Sequence, residues 1–174
     1  MAEADAEERT YGGLFGSFRY SYVASESSVY KAYVFVSAAL GIGLTLLFTL
    51  ALIGVIASTL GASETITLMR SFFVLVALLV IAPIFAPVLL VARRHRTRQG
   101  ADATYDAALA VGGYLFVAAL YLGLLISVPP EHQQTTTGGL AVVVEALYGL
   151  PGVLGLLPPV FAVVTIALLH RRFR

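Results

Sequence analysis

The chain has no cysteine and no tryptophan, and its only lysine is Lys31. Without thiols it cannot form a disulfide, ligate an iron–sulfur cluster or build a thiolate zinc site from its own residues. Charge is scarce too. Charged residues make up 12% of the 174, against roughly 25% in a soluble domain. A formal net charge of +1 is far below the basic footprint nucleic acid requires, so no nucleic-acid partner is expected. His95, His132 and His170 are the three histidines, and none lies inside an apolar run. A bis-imidazole haem between helices therefore cannot be assembled from this chain. Phosphate-cradling Gly-rich loops, His-Glu-x-x-His and Gly-x-Ser-x-Gly are absent as well. With no aspartate in an apolar run, an intramembrane aspartic protease is also disfavoured. The expectation is no catalytic residue, no cofactor and no metal site, hence a protein that is not an enzyme.

What the chain does have is oil. Hydrophobic residues make up 59% of it, and the mean hydropathy is +0.88. Four stretches carry no charge: residues 32–63, 71–92, 107–130 and 146–169. A bilayer core of about 30 Å takes about 20 apolar residues as a helix, and every stretch is long enough. The runs do not alternate polar and apolar, which rules out the strands of an outer-membrane barrel. They lack the polar face of a soluble helix, and inside hydrocarbon a helix satisfies its own amides. The expected fold is therefore all-α, an integral membrane four-helix bundle. Its spans fall at about 34–60, 71–92, 107–128 and 152–170, within a transmembrane domain of residues 32–171 that follows a tail of residues 1–31.

Cations set the expected orientation. Arg9, Arg19 and Lys31 precede the first span, Arg93, Arg94, Arg96 and Arg98 follow the second, and Arg171, Arg172 and Arg174 follow the fourth. Arg70 alone falls on the other side. The positive-inside rule places the crowded side, with both termini, in the cytoplasm of a multi-pass cell-membrane protein. Acidic residues crowd the first ten positions and no early apolar core follows them, so no cleavable signal peptide is expected.

Local chemistry refines the plan. Tyr11, Leu14, Phe15, Phe18 and Tyr22 recur every three or four residues, forming one face of a glycine-weakened interfacial helix. Ser25 before Glu26 reads as an N-cap with an acid in the first turn, and Ser63 before Glu64 as the cap of the second span. Ser37, Gly41, Thr45 and Thr49 make a small-residue ridge suited to close helix packing. Pro83 and Pro87 should kink the second span, and Pro158 with Pro159 the fourth. Asp102 and Asp106 share a face at the start of the third span, where the helix macrodipole accounts for both. Gly149-Leu150-Pro151-Gly152 should separate a short outer helix, residues 140–148, from the last span.

Glu145 is the acid nearest membrane depth, where ionisable groups are expensive and tend to be functional. Its expected partner is Arg70, giving a candidate intramembrane ion pair or ion site.

The acidic tail, the Tyr11-Gly12-Gly13-Leu14-Phe15-Gly16 stretch, the preference for arginine over lysine and the four short-looped spans resemble small four-helix membrane proteins of halophilic archaea. That resemblance covers the overall build along the whole chain, with no motif that transfers site residues. It implies an accessory role beside larger membrane subunits, such as those of a respiratory complex. In size the chain is also similar to small multidrug-resistance transporters, which carry an essential glutamate in their first span; here that span has no acid. The functional expectation is a non-enzymatic accessory or scaffold protein whose partners are the lipid bilayer and other membrane proteins, or further copies of itself. The alternative is a small oligomeric transporter or channel using Glu145.

Overall fold

The computed structural model describes residues 13–58, 65–97, 102–135 and 137–173. Its helices run in the order α1 (Gly13–Ala24), α2 (Ser28–Ser58), α3 (Thr65–Arg96), α4 (Ala103–Ile126), α5 (Ala141–Tyr148) and α6 (Leu157–Arg172). Short 3-10 turns cover Pro130–His132 and Gly152–Leu156. Among the described residues there is no strand. Four segments are long and apolar enough to cross a membrane: Ser28–Ser58, Leu68–Arg96, Ala103–Ile126 and Gly152–Arg172. The four charge-free runs of the sequence therefore reappear as four long helical rods. The acidic residues 1–10, Tyr11 and the Ser63-Glu64 cap lie outside the described residues.

The α2 cap sits two residues later than the sequence suggested. Tyr30 N donates to Ser27 Oγ at 3.3 Å, while Ser25 turns away from the helix to other work. The second proline pair is also corrected. Pro158 and Pro159 lie in the first turn of α6, directly after the Gly152–Leu156 turn, instead of kinking a continuous span. In a first turn the missing N–H groups have no helical partner to lose, so proline fits there without breaking the helix. Pro83 and Pro87 do lie inside α3. Near them, Tyr33 Oη donates to the Ile84 carbonyl at 2.6 Å, satisfying backbone in the turn that Pro87 weakens.

Buried residues gather at one end of the bundle, the end that carries the arginines. The core comprises Tyr30, Tyr33, Ile84, Val88, Val91, Tyr105, Leu109, Phe116 and Ile166 with their neighbours. Tyr33 is its strut. Its ring lies where a Cβ on Gly113 would stand, so α4 approaches α2 only because that position is glycine. The closest-knit helices are α4 and α6, which meet along most of their length. By contrast α2 leaves the bundle quickly: 6% of its most apolar window is buried, against 39% for α4. From Ile42 to Ser58 none of its residues is buried.

Helix α1 folds back mainly onto α3. Ser17 and Ser21 face inward, and Phe18 meets Phe85 edge to face at 5.2 Å. Leu14, Phe15 and Tyr22, from the aromatic stripe, face outward together with Val23. Lys31 Nζ stands 5.6 Å from the centre of the Tyr22 ring. The small serines let α1 lie close to its neighbour, and the oily stripe is left for the surroundings.

Candidate functional site

The polar residues that the bundle buries converge at the arginine-rich end. The loop before α2 contributes Ser25, the last turn of α3 contributes Arg94 and His95, the first turn of α4 contributes Tyr105 and Asp106, and the last turn of α6 contributes His170. Asp106 is the hub. Its Oδ2 accepts from the Ser25 hydroxyl at 2.6 Å and stands 2.9 Å from His95 Nε2, with Oδ1 at 3.2 Å. Asp106 is fully buried and the His95 side chain is 6% exposed. Beside this trio Tyr105 Oη lies 2.8 Å from His170 Nδ1. The Arg94 guanidinium caps the Tyr105 ring at 4.0 Å and donates to the Phe173 carbonyl. One connected patch thus ties the loop before α2 to α3, α4 and α6.

The order of the trio decides its chemistry. Nucleophile activation needs an imidazole between the hydroxyl and the carboxylate, so that the ring takes the hydroxyl proton. Here the carboxylate stands in the middle and Ser25 donates to it directly. Ser25 is 1% exposed, leaving a substrate no approach. The arrangement is that of a clamp, in which a buried carboxylate joins the loop before α2, through Ser25, to the last turn of α3, through His95.

Asp102 has a different part. It is the N-cap of α4, accepting from Thr104 N at 2.9 Å. That backbone bond holds its carboxyl below the usual carboxylate range, with a smaller lowering from Arg94. The macrodipole reading suits Asp102; for Asp106 it misses the main partners, which come from the loop before α2 and from α3. Sequence reasoning passed over His95 as a helix-end residue. A usable signal was present: a short connection between two antiparallel helices sets the last turn of one beside the first turn of the next, and His95 and Asp106 flank that connection.

The residues singled out from sequence are scattered. Glu145 is exposed on α5, which packs on α4, whereas Arg70 is half-buried on α3. Among the described residues Glu145 and Arg70 do not come within 4.0 Å of each other as His95 and Asp106 do. The small-residue ridge divides. Ser37 is buried, and Gly41 is packed against Phe85, whose ring occupies the space a Cβ would need. Thr45 and Thr49 face outward, their hydroxyls donating to the Gly41 and Thr45 carbonyls of their own helix. Among the described residues no three His, Asp or Glu side chains are grouped to hold a metal.

A family model, Domain of unknown function (DUF8056), matches residues 1–174. No curated protein and no solved structure matches the chain.

Proposed function

We propose a scaffold role in the membrane for this chain, which belongs to the DUF8056 family. It acts as a non-enzymatic accessory protein of the cell membrane, in the manner of the small subunits that accompany respiratory complexes. One observation carries the reading: from Ile42 to Ser58 α2 has no buried residue, and although Leu44 leans on the core and Phe48 on Phe73 of α3, the rest of that stretch presents an apolar face outward. A transporter built around an internal path would surround its longest helices with one another. Here Gly43 and Gly54, on one face of the helix, have open space where a Cβ would sit, and Thr45 and Thr49 are exposed on another face. Such notches suit the close approach of a neighbouring membrane helix. The polar patch supports the same reading, because its Ser, Asp and His are committed to holding helices together.

The test follows from how the ridge divides. Gly41 belongs to internal packing, so enlarging it would damage the fold; Thr45 can be enlarged without touching the core. Thr45→Trp in a tagged chain, extracted in mild detergent, is expected to lower recovery of co-purifying membrane proteins at least about fivefold, as the loss of one well-packed interfacial contact would. Unchanged recovery, or wild-type protein purifying with nothing but itself, ends the accessory reading.

In this proposal the arginine-rich end faces the cytoplasm. The lack of cysteine makes that simple to check with single cysteines. A membrane-impermeant maleimide added to intact cells should label Thr135→Cys and leave Thr97→Cys unlabelled. The reverse pattern would invert the topology.

A further inference from the structure

We propose that the groove between α3 and α6 is a binding site for one anionic phospholipid, taken from the leaflet at the arginine-rich end. This rests on the reading that these helices span a bilayer. Along the arginine-rich half of the bundle α3 and α6 barely touch, and between them runs an open trough of about 400 Å³. Its α3 wall is made of Ala82, Pro83, Ala86 and Leu90, all on one face of the helix, and its α6 wall includes Ile166 and Ala167. Small side chains on α3 create the space: two alanines and a proline leave the helix surface low where a leucine would fill it. The volume lies within the roughly 300–1,000 Å³ typical of ligand sites, and the lining is almost wholly apolar.

The dimensions suit an acyl chain. Residues 82 to 90 span about 12 Å of helix, close to the roughly 15 Å of hydrocarbon in one leaflet. The groove then changes character. At its arginine-rich end the lining passes to His170 and Arg171, in the last turn of α6, with Arg172 next along. Arg171 is exposed. Arg94, in the nearby last turn of α3, is turned toward Tyr105 and the Phe173 carbonyl. Arg171 is therefore the cation left at the groove mouth for a headgroup. Guanidinium matches phosphate oxygens in geometry as well as charge. Of the described acids at this end, Asp106 is occupied by Ser25 and His95, Asp102 by the α4 N-terminus, and Glu26 is exposed in the loop before α2, outside the groove lining. Oily along its length and cationic at one end, the trough fits the chemistry of a single lipid with a negatively charged head.

The experiment uses the full chain in neutral detergent, offered phosphatidylglycerol or phosphatidylcholine in mixed micelles, with retained lipid counted by native mass spectrometry. Phosphatidylglycerol should be retained about fivefold more than phosphatidylcholine, the effect of one cation–phosphate contact near a membrane surface. Arg171→Gln should remove that preference. Ala86→Phe, which fills the trough, should remove retention of both lipids, and Ala167→Phe from the opposite wall serves if the first variant does not fold. Equal retention of the two lipids overturns the proposal, as does an Arg171→Gln or a folded filled-groove variant that retains phosphatidylglycerol like wild type. Failure of the membrane reading would look different, as a protein that stays monodisperse without detergent.

Discussion

Asp106→Ala is expected to lower the unfolding free energy of the detergent-solubilised protein by about 3 kcal/mol, the cost of removing the shared acceptor from a buried hydrogen-bonded cluster and leaving its partners unsatisfied. The carboxylate is fully buried and accepts from Ser25 while pairing with His95. Its loss strands a hydroxyl and an imidazole in the interior. Asp106→Asn, which keeps the shape and one acceptor, should fall between alanine and wild type. A double-mutant cycle with His95→Ala is expected to show coupling of about 1–2 kcal/mol, because neither single change then leaves the other group stranded. Thermal unfolding followed by circular dichroism measures both. An Asp106→Ala protein within about 0.5 kcal/mol of wild type would mean that the clamp does not hold the bundle.

The second large effect is expected at Gly123. A Cβ there would run into the Gly155 carbonyl, and a Cβ on Gly155 would meet the Gly123 carbonyl and Ser127 Oγ. In both cases backbone is among the obstacles, and backbone cannot rotate away as the tip of a side chain can. α4 must therefore separate from the turn that precedes α6, right beside the α4–α6 contact. Gly123→Ala should cost about 2–3 kcal/mol, toward the upper end for overpacked interiors. The control is Gly43→Ala, where a Cβ meets nothing within 4 Å. That change should be neutral or add up to about 1 kcal/mol, since alanine is the better helix former. If Gly123→Ala and Gly43→Ala unfold alike, the close approach of α4 and the Gly152–Leu156 turn is wrong.

These two sites also show what a single sequence makes visible. The rods were legible because lipid imposes a length and a ban on charge, and both are written residue by residue. The break at Gly149 and Pro151 was legible for a similar reason: glycine and proline act on their own backbone wherever they occur. The clamp was not legible. Ser25 and Asp106 are 81 residues apart, and nothing local marks a serine that leaves its cap to reach another helix. The proline pair shows the limit from the other side. Composition placed Pro158 and Pro159 in the last span, but whether proline kinks a helix or begins one depends on register. Here the register is set by the 3-10 turn just before them. Glu145 stood out as a rare acid in an apolar stretch, yet α5 turns it outward, because a helix of 8 residues has little interior to offer.

The clamp's long reach has a consequence for synthesis. A bond between Ser25 and Asp106 cannot form until the ribosome has made both, and the Arg94–Phe173 contact, whose partners are 79 residues apart, must wait longer still. The first two rods are therefore made before any of these bonds can exist, joined to each other by contacts such as Tyr33 Oη to the Ile84 carbonyl. Through that interval Ser25, Arg94 and His95 have not yet met their later mates. Closure of the polar patch is thus a late step of assembly.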